Sequence, residues 1–165
     1  MIYSCCDELR RAAVRAHATL NGIDFLEVID RAASNPAERQ RKLEVHFVKA
    51  LGALALAASN IRIDGGERIH NIQVIGAVPG ADADVLIVEV DQPGDFSLYT
   101  LRLVQGALND AVPAGIDPQL ASIEFSFKVE CPSPFDCAPQ RTCPPQTQAI
   151  PEIDYLAKDY ASFKR

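Results

Sequence analysis

From Lys42 onward the apolar residues recur at every second position. Leu43, Val45 and Phe47 are separated by Glu44 and His46, and Ile123, Phe125, Phe127 and Val129 by Glu124, Ser126 and Lys128. A period of two sends alternate side chains to opposite faces of an extended backbone, so each run must be a strand with one buried and one solvated side. Between the runs stand strand breakers: Asp64-Gly65-Gly66, Pro93-Gly94-Asp95, and a loop over 106–118 carrying Pro113, Gly115 and Pro118. Gly65 and Gly66 permit the positive φ angles of a tight hairpin, which predicts that 61–63 turns straight into a returning strand over 69–75. Val85–Val90 is nearly all apolar and reads as a central strand buried on both faces, with 96–104 coming back after the proline-glycine turn. Six or seven strands with no long helical pattern among them predict a mainly β protein, an antiparallel Ig-like β-sandwich.

The flanks differ. Residues 4–20 read as a helix capped by Ser4, with Asp7 and Glu8 at its positive end and Leu9, Ala13, Ala16 and Leu20 on one face. Asn21-Gly22 closes it, since either residue tolerates the left-handed conformation. Ile23–Ile29 is then the first strand, and Asn35-Pro36-Ala37-Glu38 a turn or brief helical start. The stretch 50–58 conflicts with the β pattern, because its alanines and leucines favour helix. Past residue 130 the alternation ends. Prolines at 132, 134, 139, 144, 145 and 151 exclude both helix and central strand. Asp154 can cap a short final helix in which Leu156, Tyr160 and Phe163 share a face. The organisation expected is an N-terminal helix over 1–22, a sandwich over 23–130, a Cys/Pro-rich connector over 131–151 and a C-terminal helix over 152–165.

A formal charge of −6, from 22 acidic and 16 basic side chains, argues against non-specific nucleic-acid binding. The longest apolar run is too short to span a bilayer, and the first residues lack the apolar core of a signal peptide. The chain is therefore expected in the cytoplasm at synthesis. His17, His46 and His70 stand in no metal-ligand spacing and beside no candidate nucleophile, and there is no phosphate-binding loop, dinucleotide fingerprint or nucleophile elbow. Asp64-Gly65-Gly66-Glu67 lacks the regular oxygen ligands of a calcium loop. No enzyme is expected.

The five cysteines are the chemical signal. Cys131, Cys137 and Cys143 recur at intervals of six, and a closed thiolate site takes a fourth ligand from Cys5 or Cys6. That arrangement requires the first turn of the N-terminal helix to lie beside the connector. Three readings stay open: a Cys-ligated structural metal (zinc or an iron–sulfur cluster), a disulfide staple, and unliganded thiols. A metal has a physical purpose here, because it orders a linker that buries little apolar surface. The terminal helix is too short to be stable alone, so Tyr155, Leu156, Tyr160 and Phe163 are expected to dock between chains or onto a further domain.

Several segments together carry a resemblance: CCDELRRAAVRAH, LNGIDFLEVID, IRIDGGERI, DQPGDFSLYTLRLV, IDPQLASIEFSFKVECPSPFDC and PEIDYLAKDYASFKR. In this order they resemble the N-terminal region of baseplate assembly proteins, the baseplate J-like wedge subunits of phage-tail-like contractile injection systems. The resemblance runs along essentially the whole chain and is most specific over 117–163. It implies a structural, non-enzymatic part of the baseplate, with other wedge subunits, the spike hub and sheath-proximal proteins as partners. The cysteines at 5, 6, 131, 137 and 143 are similar to that family's pattern. In the family the DYLAKDYASF segment opens a much longer polypeptide, whereas this sequence stops at Arg165. The expectation is accordingly a fragment, a split gene product or a truncated remnant. Two rival readings predict other things. A carbohydrate-binding or adhesin sandwich needs an exposed aromatic platform, and a redox iron–sulfur protein needs cysteines that do chemistry.

Overall fold

The computed structural model describes residues 2–4, 7–30, 32–33, 35–52 and 54–127. Its elements are β1 (Ile2–Ser4), α1 (Glu8–Ala16), β2 (Ile23–Ile29), β3 (Lys42–Phe47), β4 (Ile61–Gly65), β5 (Val74–Pro79), β6 (Val85–Val90), β7 (Tyr99–Leu103) and β8 (Ser122–Phe125). Three single turns of 3-10 helix, Pro36–Glu38, Ala58–Asn60 and Pro118–Leu120, lie in the connections. All strand pairs are antiparallel.

The strands form a five-stranded sheet in the order β1-β2-β3-β6-β5 and a three-stranded sheet in the order β4-β7-β8. Both sheets give their apolar faces to one core. Leu26, Leu43, Val45, Val88 and Val90 from the first meet Ile63, Leu101, Ile123 and Phe125 from the second. The alternation read in the sequence is the burial pattern of β3, where Leu43, Val45 and Phe47 are buried and the residues between them are half-buried. β6 is central, between β3 and β5, as its apolar run requires.

Without β1, the order β2-β3-β6-β5 facing β4-β7-β8 is the A-B-E-D facing C-F-G order of an immunoglobulin constant-type domain. The corner before β7 carries a further mark of that fold. Tyr99, at the start of the F-equivalent strand, accepts a hydrogen bond from the Asp95 N–H at 3.1 Å, four residues upstream. Its hydroxyl donates to the Ile69 carbonyl at 2.8 Å. The ring packs edge-on against Phe127, with centroids 5.0 Å apart. Gly94 makes this possible, since a Cβ there would stand 2.6 Å from Tyr99 Cζ.

Several local expectations are corrected. Gly65 and Gly66 do take positive φ, 108° and 89°, but no hairpin follows. β4 pairs with β7 in the other sheet, and the next strand begins only at Val74. The intervening segment runs over the corner, where the Arg68 and Ile69 N–H groups donate to Asp95 Oδ2 at 2.8 and 3.2 Å. Likewise 96–104 does not return beside β6. Only Tyr99–Leu103 is strand, and it crosses to the smaller sheet. Residues 54–57, at the end of the alanine-leucine stretch, form no helix, and Ala57 is extended as the chain enters the short turn Ala58–Asn60.

The N-terminal helix is shorter than the sequence suggests. Ser4 does not cap it, because residues 2–4 pair with β2 as an added edge strand. Asp7 is the cap, its side chain accepting from the Arg10 N–H at 2.8 Å. The helix ends at Ala16, and His17 Nδ1 takes the Thr19 and Leu20 N–H groups at 3.2 and 3.1 Å. Asn21 and Gly22 therefore do not close the helix. Asn21 bridges to Ile116, and Gly22 leaves room for Leu120. The expected apolar face is also the wrong one. Leu9 is 73 % exposed, and Val14 is the buried residue of the helix.

Candidate functional site

The sandwich has two poles. At the first, α1 covers the start of β2 and the turn before β8. It is held by charge more than by apolar area, because its inward face carries Arg10 and Arg11 as well as Val14. The Arg10 guanidinium grips the fully buried Asp117, with Nε at 3.0 Å from Oδ1 and a second, close contact from the terminal nitrogen to Oδ2. Asp117 Oδ1 also accepts the Gln119 N–H at 3.0 Å, capping the turn Pro118–Leu120. The bond from Arg10 outweighs burial and holds this carboxylate below its ordinary range. Arg11 pairs with Glu8 at 2.9 Å and with Asp24 of β2.

At the other pole lies the tyrosine corner. Asp95 is its hub. Burial pushes its carboxyl up, but hydrogen bonds from the Ser97 hydroxyl and N–H, the Arg68 N–H and Tyr99 reverse this and hold it far below the usual carboxylate range. Phe96 and Leu98, 52 % and 47 % exposed, flank the hub, and Phe127, the last described residue, packs into the same corner. The chain therefore leaves the described sandwich here.

The two ends of the fold share a side of the molecule. β1 and β2 pack beside β8. Their directions differ, however. Ile2 faces Glu27 and Ser4 faces Phe25, so β1 runs toward the α1 pole before Cys5 and Cys6, whereas β8 runs toward the corner pole. Cys5, Cys6, Cys131, Cys137 and Cys143 lie outside the described residues, as do Tyr155, Leu156, Tyr160 and Phe163. The structure neither gathers these residues nor separates them.

No described histidine adjoins a nucleophile. His17 is used up at the end of α1, His70 is exposed, and His46 stacks on Phe25 with ring centroids 3.9 Å apart. The outer face of the smaller sheet is laced with ion pairs, Arg62 with Asp110 and Arg102 with Asp64, the latter at 2.7 Å. Among the described residues neither sheet presents an aromatic platform. Tyr99 is in the core, Phe25 is half-covered and Phe96 stands at the corner. The rival carbohydrate-binding reading loses its main requirement there. Sequence reasoning missed the Arg10–Asp117 clasp, since no local pattern links positions that far apart. It also missed the convergence of Glu27 with Glu44 and His46, which depends on strand register.

The architecture and its polar surfaces define a class: an immunoglobulin-like structural module with no catalytic constellation among its described residues. The family follows from comparison. A family model described as "Phage baseplate assembly protein, N-terminal domain" matches residues 1–125. The chain belongs to that family. No curated protein and no solved structure matches it. The family gives the chain a structural place in a phage baseplate, assembled into a particle and in contact with other baseplate proteins. Among the described residues no helix is long and apolar enough to cross a membrane.

Proposed function

We propose that this chain is the N-terminal module of a wedge subunit in the baseplate of a phage-tail-like contractile injection system, and that it acts as a non-enzymatic building block. The observation that carries the reading is the family match, whose end at residue 125 falls at the close of β8. The matched segment thus contains all eight strands and the helix of the described residues. A baseplate part has to present fixed surfaces to several neighbours, and a sandwich with both poles tied by buried polar networks suits that task. In this reading Tyr155, Leu156, Tyr160 and Phe163 form the contact to an adjoining wedge domain. The cysteines at 5, 6, 131, 137 and 143 hold a structural metal that brings the two ends of the chain together.

The test is genetic and structural. Residues 1–127 are deleted from the producing cell's own copy, with the full chain supplied in trans as control, and particles are imaged by electron microscopy. Sheath and tube without complete baseplates, restored by the control, is the expected outcome. Intact baseplates at the normal frequency in the deletion strain would overturn the proposal.

A further inference from the structure

We propose that Glu27, Glu44 and His46 form a divalent-cation site on the outer face of the five-stranded sheet, a function separate from the cysteine chemistry and from the module's place in a particle. The three residues come from two neighbouring strands. Glu44 and His46 alternate on β3, and Glu27 of β2 pairs directly with Glu44. One ligand atom from each lies within 4.8 Å of the other two.

Three features of this arrangement call for a cation. First, two carboxylates sit opposite each other across an antiparallel pair, where like charges repel. Second, Lys42, the outward residue two positions before Glu44 on β3, is engaged elsewhere, its Nζ donating to Glu38 at 2.6 Å. Third, His46 Nε2 is buried and finds no hydrogen-bond partner among the described residues. It stands 4.0 Å from Glu44 Oε2, beyond hydrogen-bond reach. An unpaired buried nitrogen is costly, and the stack on Phe25 holds the plane of the ring. Ligand atoms on one ion lie about 3–3.5 Å apart, so small rotations of the two half-buried glutamates bring all three donors onto one centre. One nitrogen and two carboxylate oxygens suit a borderline or hard divalent ion such as zinc or manganese, with water filling the remaining positions. The bound ion would clamp β2 to β3 from outside the core.

The rival explanation is a solvated polar face that holds no ion. Manganese binding separates the two. Mn²⁺ is the probe because soft thiolates compete poorly for it. The full chain is titrated with Mn²⁺ while the electron paramagnetic resonance signal of the free ion is followed. The variants Glu27→Gln, Glu44→Gln and His46→Phe are measured in parallel. Each glutamine removes like-charge repulsion, and the phenylalanine keeps the ring stack, so all three should fold; circular dichroism of the metal-free proteins checks this. One ion per chain, weakened at least roughly tenfold by each substitution, is the expected result. No binding by the unaltered chain, or binding equal in the folded variants, would overturn the site and leave a solvated face as the explanation.

Discussion

Tyr99→Phe removes one oxygen from the tyrosine corner and nothing else, so its effect can be worked out from the structure. The ring is 1 % exposed and keeps its edge-on contact with Phe127 and its tilted contact with Phe125. What disappears is the acceptor of the Asp95 N–H, at 3.1 Å, and the donor to the Ile69 carbonyl, at 2.8 Å. The hydroxyl has a single proton, and Asp95 Oδ1 at 3.0 Å competes for it, so one donated and one accepted bond are lost. A net hydrogen bond contributes about 1 kcal/mol, and a partner left unpaired in a buried place costs about 1–3 kcal/mol. The corner is only partly buried, and water can replace some of the loss. The sum is about 2 kcal/mol. Urea unfolding of both proteins measures it as a lower midpoint at unchanged slope. In heat the same loss lowers Tm by roughly 6–10 °C for a domain of this size. A variant within about 0.5 kcal/mol of the parent would show that the ring alone holds the corner and that the hydroxyl network is incidental.

Three other outcomes are expected. Gly94→Ala pushes a methyl group against Tyr99 and Phe127, and this overpacking should cost about 1–3 kcal/mol, read in the same urea assay. Asp117 has a folded pKa lowered by Arg10. The stability it contributes is therefore complete above the unfolded carboxylate value of about 4 and is lost as pH falls through the lower folded value. Asp117→Asn should unfold more easily than the parent at pH 7 and converge with it toward pH 2. A constant gap across that range would refute the assignment. Cys137→Ser should lower metal content and Tm together in protein purified without oxygen, and unchanged values of both would remove the proposed cysteine-held metal.

The sequence carried the architecture but not the connections. Period two in Lys42–Phe47 and Ser122–Phe125, the apolar run of Val85–Val90 and the turn residues between them were enough for a β-sandwich. The hairpin reading of Asp64-Gly65-Gly66 failed for a definite reason. Glycine reports that the backbone takes positive φ, not which strand lies beyond, and here the chain leaves one sheet for the other across the Asp95 hub. The helix face failed because apolar spacing was followed while the docking force was ionic. Arg10 and Arg11 point inward because Asp117 and Asp24 wait there, and neither partner can be named without the fold. Two of the three residues of the outer-sheet cluster were legible, since Glu44 and His46 must share a face of β3. Glu27 joins them through the register of β2 alone.

The placement of the cysteines follows from the same topology. In antibody domains a disulfide joins the B and F strands, with the corner tyrosine two residues before the second cysteine. Here that position is Leu101, fully buried, and the facing B-equivalent strand gives Val45, also fully buried. No cysteine occurs between Asp7 and Glu130. The link between the sheets is therefore apolar packing, which needs no oxidising compartment. All five cysteines stand on the flanks, at 5 and 6 ahead of α1 and at 131, 137 and 143 beyond β8. Among the described residues the core contains no cysteine.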